Sequence, residues 1–223
     1  MKTVRVWDLP LRLFHWALVV LVSAAIITGN LGGEYMDAHF YCAYAILALL
    51  LFRLIWGVAG SVYARFASFL AGPRAVLAYL KTAASSSAEH RPGHNPLGGW
   101  SVVAMLTVLL LQVSSGLFSN DDIASEGPLA ILVSRDWSAT LTWFHTEVSI
   151  NILYGLIGLH VLAIAYYALR KKINLVGPML SGDMQTTLDV PAAQDTRWLR
   201  LRGLLIFLLC CAVIYFFFLR NVS

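Results

Sequence analysis

Five long apolar stretches, separated by polar segments, dominate the pattern of the chain. They cover residues 11–31, 39–57, 97–118, 141–169 and 199–219. A helix needs about 20 mostly apolar residues to cross the hydrocarbon layer of a membrane. Each stretch therefore predicts a transmembrane helix, and the fold class is an all-α membrane protein. We expect the first four helices to form a bundle and the fifth, C-terminal helix to be an addition to it.

The composition agrees with this interpretation. Of the 223 residues, 59% are hydrophobic and 13% are charged, whereas soluble domains carry roughly 25% charged residues. The three cysteines form no C-x-x-C-H motif, which excludes covalent attachment of a c-type haem. Three cysteines are also too few for a dense disulfide framework.

The basic residues alternate between the polar segments and predict the orientation. Lysine and arginine are concentrated before the first span, between the second and third, and between the fourth and fifth. The two opposite loops are mainly acidic. Because basic loops remain on the cytoplasmic side, we expect a cytoplasmic N-terminus and a fifth helix that ends outside.

The polar segments also suggest domain boundaries. We expect a four-helix domain over residues 1–173, a cytoplasmic linker over 174–198, and the additional transmembrane helix over 199–223. Within the cytoplasmic loop at 61–95, residues 73–81 begin with proline and mix apolar with basic side chains. Such a segment predicts a short helix in the plane of the lipid headgroups.

Four histidines lie within or at the ends of the predicted spans. Ionisable residues at membrane depth are costly and usually functional. Since the first span runs outward and the second inward, His15 lies near the cytoplasmic face and His39 near the external face. His145 opens the fourth span externally, and His160 lies fifteen residues further, about 22 Å deeper. His15 and His160 therefore form a cytoplasmic-side pair, and His39 and His145 form an external-side pair.

Two histidines at equal depth on opposing helices suit axial ligation of a b-type haem. Zinc would require three or four donors that converge on one point, and each level offers two. Two haems, with irons on the order of 20 Å apart, would form a path for electrons across the membrane. For any single histidine, a hydrogen bond to a neighbouring helix is the alternative.

Three further residues fall at the same two levels. Arg53 lies fourteen residues beyond His39, about 21 Å inward, where it can pair with haem propionates. The alternative for Arg53 is a side chain that reaches out to the interface. Gly29 and Gly116 lie at the external level, where a small residue admits a macrocycle or serves helix packing.

Several motifs together resemble one known family. They are Trp7-Asp8, Arg12, His15-Trp16, His39, Arg53-x-x-Trp56-Gly57, Gly93-His94-Asn95-Pro96-Leu97-Gly98-Gly99, His145 and Gly158-Leu159-His160-Val161. This set resembles the bacterial cytochromes b561 and the cytochrome b subunits of nickel–iron hydrogenases, over about residues 3–180. The resemblance implies a di-haem membrane cytochrome b of the bacterial inner membrane, with iron ligands from the first, second and fourth helices.

The same resemblance implies electron transfer between the quinone pool and a periplasmic partner, which would be a c-type cytochrome, a hydrogenase or another dehydrogenase. The direction of transfer stays open. An alternative is a self-sufficient oxidoreductase that oxidises superoxide or another small donor with quinone, so that the cytochrome itself is the enzyme. A third class is a non-redox membrane anchor or transporter. Membrane lipid is an expected partner, and nucleic acid is not.

Two features remain open beside the resemblance. The family often has glycine where this chain has Ala43, and the fifth helix is not part of the common core.

His94 and Asn95 precede the third helix on the cytoplasmic side, where either residue can hydrogen-bond a quinone carbonyl or relay its proton. The alternative is that Asn95 caps the helix, with Pro96 in its first turn.

Overall fold

The computed structural model describes residues 1–83, 92–123 and 125–220. Its regular elements are β1 (Lys2–Arg5), α1 (Leu9–Leu31), α2 (Met36–Ala59), α3 (Phe66–Phe69), α4 (Pro73–Ala83), α5 (Pro96–Gly116), α6 (Arg135–Trp143), α7 (Ile150–Leu169), α8 (Val176–Ser181), β2 (Asp183–Thr186) and α9 (Arg197–Ile214). A π-helical turn, Phe144–Ser149, joins α6 to α7, and a second one, Tyr215–Leu219, extends α9. Part of the predicted loop, residues 84–91, lies outside the described residues.

Five helical segments of the described chain are long and apolar enough to cross a membrane: Leu9–Leu31, Gly33–Ala59, Pro96–Gly116, Arg135–Leu169 and Arg197–Leu219. They coincide with the five predicted spans and confirm an all-α membrane fold. The fourth segment begins earlier than its apolar run because the polar helix α6 precedes it. Ser134 caps α6 by accepting a hydrogen bond from the Trp137 backbone N–H at 3.3 Å.

Two compact units divide the chain, and each is assembled from distant segments. The first unit comprises Met1–His15, Arg53–Ala104 and Gly158–Ile206, and the second comprises Trp16–Phe52, Met105–Ile157 and Phe207–Ser223. Each unit therefore contains one predicted histidine pair: His15 and His160 belong to the first, and His39 and His145 to the second.

In the first unit, the start of the chain is held by the polar segment that precedes the fifth span. Strands β1 and β2 pair antiparallel, with Arg5 opposite Asp183. The Arg5 guanidinium donates to Asp183 at 2.6 Å and to Asp195 at 2.7 Å. The segment that the sequence suggests as a linker thus forms α8 and β2 and packs against the N-terminus.

Asp8 organises the entry into α1. It is fully buried, and its carboxylate accepts hydrogen bonds from the Leu11 backbone N–H at 2.8 Å and from the Ser61 hydroxyl at 2.5 Å. The Trp56 indole N–H, at 3.2 Å, donates to the same group. Asp8 is therefore both the N-cap of α1 and its link to the end of α2. This fixes the first turns of the helix that carries His15.

The fifth span packs on this chain in both units. In the second unit, Ile214 joins a buried cluster with Tyr44 and Leu117, and the rings of Tyr44 and Phe218 stack with centroids 5.6 Å apart. In the first unit, Gly203 lies against Pro10, because a Cβ at residue 203 would come within 2.9 Å of the Pro10 ring.

Helix α4 is attached to neighbouring segments of the first unit. The Tyr79 hydroxyl lies 2.5 Å from that of Tyr167, and the Trp100 indole N–H donates to the Ala71 carbonyl at 2.9 Å. Leu77 and Leu80 of α4 are exposed. A helix tied on one side and apolar on another suits the membrane surface.

Candidate functional site

The second unit brings the rings of His39 and His145 into an edge-to-face arrangement. His39 lies on α2 and His145 in the π-helical turn, with ring centroids 6.2 Å apart and ring planes at 90°. Two imidazoles on opposite sides of one metal ion have ring centres on the order of 6 Å apart, since each metal–nitrogen bond is about 2 Å long. The spacing therefore fits a metal held between the two rings, as in the expected haem.

The Nδ1 atoms of both rings are held by backbone carbonyls. His39 Nδ1 lies 2.8 Å from the Ala25 oxygen, and His145 Nδ1 lies 2.8 Å from the Gln112 oxygen. Because a carbonyl only accepts, Nδ1 carries the proton in each ring, and Nε2 keeps its lone pair. This is the tautomer and the second contact that metal-binding histidines usually have.

Gly29 and Gly116 make room for these rings. A Cβ on Gly29 would lie 2.9 Å from His39 Nδ1, and a Cβ on Gly116 would lie 2.8 Å from His145 Cε1. The sequence suggested that these glycines admit a macrocycle or pack helices. In the structure, each glycine allows an imidazole of a neighbouring helical segment to lie directly on the backbone.

A mostly apolar cavity is lined by the two rings. Ala43 and Tyr44 of α2 line it beside His39 and His145, and it opens to the surface. Cofactor sites are typically concave and lined mainly by apolar side chains with few polar groups. The residues of the second unit therefore fit a large apolar prosthetic group with two axial imidazoles.

The first unit collects the other candidates. His15 on α1 and His160 on α7 lie within electrostatic reach of each other. His94 lies within such reach of both Arg53 and His160. Four residues that the sequence assigns to the cytoplasmic-side level thus belong to one site, although they come from four separate segments.

Arg53 is buried rather than directed to the interface. The residue is only 2% exposed. Its guanidinium donates a hydrogen bond to the Ala64 carbonyl at 3.1 Å, and its Cζ atom lies 4.6 Å from the centroid of the Phe66 ring. The Asp8 carboxylate attracts the Arg53 guanidinium electrostatically but lies too far away to form an ion pair with it. Among the residues that the structure describes, no carboxylate forms an ion pair with it. A buried cation in this state is costly, so the site fits an anionic group such as a propionate.

His94 is enclosed by aromatic rings. Its ring centroid lies 4.9 Å from that of Trp7 and 4.6 Å from that of Phe69, and its buried Nδ1 has no hydrogen-bond partner in the described part of the chain. Burial, followed by the positive charges of Arg53 and His160, lowers the pKa of His94 to about 4. The ring is therefore neutral at physiological pH and can exchange a hydrogen bond, but it carries no imidazolium proton to relay.

Asn95 is occupied by protein contacts. Its side-chain oxygen accepts a hydrogen bond from the Gly98 N–H at 2.7 Å, and its amide nitrogen donates to the Tyr167 hydroxyl at 2.9 Å. The first contact makes Asn95 the N-cap of α5. The second ties this cap to α7.

Three polar residues beside His145 were missed in the sequence. The Gln112 side chain and the Ser115 hydroxyl lie 3.2 and 3.4 Å from ring nitrogens of His145, and Ser149 bonds to Gln112. An available signal was the position of Gln112, Ser115 and Gly116 on one helical face within an apolar span.

The described residues contain no group of three or more His, Cys, Asp or Glu side chains that could hold a metal ion.

Comparison with known proteins identifies the family. The family model of the prokaryotic cytochromes b561 matches residues 6–182. A probable Ni/Fe-hydrogenase B-type cytochrome subunit of Bradyrhizobium diazoefficiens is 23% identical, in a match that covers 82% of this chain and 86% of that protein. No solved structure is significantly similar to the chain. The family match and the five apolar helices establish that this chain, a multi-pass membrane cytochrome of the b type that takes part in electron transfer, belongs to the prokaryotic cytochrome b561 family.

Proposed function

We propose that this cytochrome holds two b-type haems and transfers electrons between a redox partner at the external face and the quinone pool. The observation that supports this most is the presence of a separate histidine pair in each compact unit. A b-type haem supplies a reversible one-electron couple, while the protein sets its ligation and surroundings.

His39 and His145 are the proposed ligands of the external-side haem. Each ring is fixed through its protonated Nδ1, so its Nε2 keeps a lone pair that can bind iron. The mostly apolar lining of the cavity lowers the local dielectric constant, which affects a reduction potential.

His15 and His160 are the proposed ligands of the cytoplasmic-side haem. Arg53 is the proposed partner of a propionate, because its buried guanidinium makes one backbone hydrogen bond and one aromatic contact. An anion beside it would supply charge-assisted hydrogen bonds in a buried setting.

Quinone exchange belongs to the first unit in this proposal. A neutral His94 can donate or accept one hydrogen bond at a quinone carbonyl, whereas the protons of the reduced quinone come from water at the cytoplasmic surface. Asn95 contributes by fixing the start of α5, since its side chain is already bonded to Gly98 and Tyr167.

The location and the partner are inferred from charge and kinship. The basic loops support a cytoplasmic N-terminus in the bacterial inner membrane. The name of the Bradyrhizobium relative supports a hydrogenase as the periplasmic partner. A c-type cytochrome or another dehydrogenase is compatible with the same external site.

The test is the haem content and reactivity of the purified full-length chain. We expect two non-covalent haems b per chain, both reduced by a quinol analogue, and electron transfer to or from an added periplasmic partner. A single haem per chain, or haems that do not respond to quinol, would overturn the proposal. Turnover of superoxide with quinone in the absence of any partner would instead establish the self-sufficient oxidoreductase.

A further inference from the structure

The π-helical turn that carries His145 is fastened by a serine. Ser149 is 1% exposed, and its hydroxyl bonds to the Phe144 carbonyl, five residues earlier, at 3.2 Å. This separation is the spacing of a π-helix, a rare turn that occurs frequently at functional sites. The Ser149 side chain therefore bridges the ends of the turn in which His145 lies.

The same hydroxyl reaches the neighbouring helix α5. It donates to Gln112 Oε1, and because it has one hydrogen, the Gln112 and Phe144 oxygens share it. The Gln112 amide nitrogen lies 3.2 Å from His145 Nε2, and the Gln112 backbone carbonyl accepts from His145 Nδ1 at 2.8 Å. Gln112 thus contacts both nitrogens of the His145 ring, and Ser149 holds Gln112.

We propose that Ser149 is a positioning residue for the His145 ligand, acting through Gln112 and the π-helical turn. The inference rests on the proposed function, in which His145 ligates the external-side haem. The Gln112 amide donates to Nε2 and orients the ring. If Nε2 ligates a haem iron, the Gln112 amide must release it, and the Ser149 bond would keep the Gln112 side chain beside the ring.

Loss of the Ser149 hydroxyl frees both the turn and the Gln112 side chain. Residues that orient a metal ligand typically change metal affinity 10- to 100-fold when they are removed. We therefore expect about a 10- to 100-fold loss of affinity for the external-side haem. A less firmly oriented imidazole also changes the midpoint potential of that haem.

The experiment compares four variants of the full-length chain: Ser149→Ala, Ser149→Thr, Ser138→Ala and His145→Ala. Ser138 is the matched control, since it is a buried serine of the same span whose hydroxyl donates to the Phe118 carbonyl at 2.8 Å. The readouts are the rate of haem transfer to apomyoglobin, the low-spin haem signals in electron paramagnetic resonance, and a redox titration.

We expect Ser149→Ala to lose one haem faster, with a changed resonance signal and a shifted potential for that haem alone. The other haem shows in the same sample that the chain is folded. Ser149→Thr, which keeps a hydroxyl, should restore the wild-type values, and Ser138→Ala should match them. Wild-type behaviour of Ser149→Ala, alongside loss of a haem in His145→Ala, would overturn the inference. Two retained haems in His145→Ala would overturn the proposed ligation itself.

Discussion

The histidine pairs of the two units differ in what surrounds them. In the second unit, the rings of His39 and His145 are held by backbone carbonyls, rest on glycines and face a mostly apolar cavity. In the first unit, the surroundings are ionisable side chains: a buried Arg53, a buried Asp8 and the enclosed His94. The two sites therefore present different chemistry to similar ligands.

This difference separates two tasks of an electron carrier. Holding a haem needs two correctly oriented imidazoles and a mostly apolar cavity. In the second unit, backbone carbonyls and glycines orient the imidazoles without any charged side chain. Exchange with a quinone also needs hydrogen bonds and access to protons, and only polar side chains near water supply these. The first unit contains such groups together with the basic surface segments.

Removing one ligand from each pair gives the largest effect and breaks the comparison most directly. We expect His160→Ala to lose the cytoplasmic-side haem and keep the other, and His145→Ala to do the reverse, because the pairs belong to separate units. Haem content per chain and a redox titration measure this, and each variant is the control for the other. Loss of both haems from a chain that still inserts and folds would contradict independent sites.

Substitution of Arg53 should weaken only the cytoplasmic-side haem. Arg53→Leu removes a buried charge-assisted contact, which is worth about 1.5–3 kcal/mol, so haem affinity should fall roughly tenfold to a hundredfold. Arg53→Lys keeps the charge but lacks the two parallel N–H donors of the guanidinium. Its haem affinity should therefore lie between those of the wild type and Arg53→Leu. Haem-transfer rates resolve the two haems. If Arg53→Leu weakens the external-side haem equally, the assignment of Arg53 is wrong.

Gly116→Ala tests the external-side haem by placing a methyl group against the His145 ring. The added Cβ would lie 2.8 Å from His145 Cε1, and overpacking costs about 1–3 kcal/mol, so the ring should shift and haem affinity should fall. Gly155→Ala is the control, because nothing lies within 4 Å of its added Cβ. Equal haem binding in both variants would show that Gly116 does not position the ring.

The sequence was sufficient for the transmembrane helices and for the candidate ligands, for a local reason. A run of about 20 apolar residues has one stable outcome in a membrane, so the five spans could be predicted and are confirmed. A histidine within such a run is conspicuous, and helical spacing alone placed His145 and His160 at different depths. Their role as haem ligands stays a prediction.

The contacts that orient these residues could not be predicted. Carbonyl acceptors such as those of Ala25 and Gln112 have no side-chain signature, and the π-helical turn at Phe144–Ser149 changes the rotation that regular helical spacing predicts. Pairing of β1 with β2 joins polar segments far apart in the sequence, where no hydrophobic periodicity fixes the register. The burial of Arg53 likewise depends on Phe66 and Ala64, which lie beyond its own helix.

Substitutions at Asn95 distinguish between two roles of this residue in the first unit, a helix cap and a contact with the quinone. Asn95→Leu removes the cap of α5, at about 1 kcal/mol, and disturbs the segment that holds His94, so quinone-linked electron transfer should fall more than haem loading. Asn95→Asp keeps an acceptor for the Gly98 N–H, and should retain most of the transfer. Stopped-flow reduction by quinol measures the rates. An equal loss in both variants would mean that the Asn95 amide nitrogen, through Tyr167 or through the quinone, matters more than the cap.

A substitution at Asp195 has the smallest expected effect and tests how the N-terminus is attached in the first unit. Burial alone raises the pKa of Asp195, but hydrogen bonds from Arg200 and the Leu9 N–H, with the charges of Arg200 and Arg5, bring the net pKa below its ordinary 3.8. Because the folded-state pKa is the lower one, the carboxylate stabilises the fold above that value, and its contribution disappears as the pH falls through the folded pKa.

Asp195→Asn should therefore loosen β1 by about 1 kcal/mol near neutral pH, the upper range for partly exposed ion pairs, and should differ less from wild type in strong acid. Hydrogen exchange of the β1 amides measures this opening. Asp189→Asn is the control, since the Asp189 side chain is fully exposed and pairs with Lys2 at the surface, so its loss should leave β1 protected. Unchanged exchange in Asp195→Asn would show that the strand pairing itself, and not the charge cluster, holds the N-terminus.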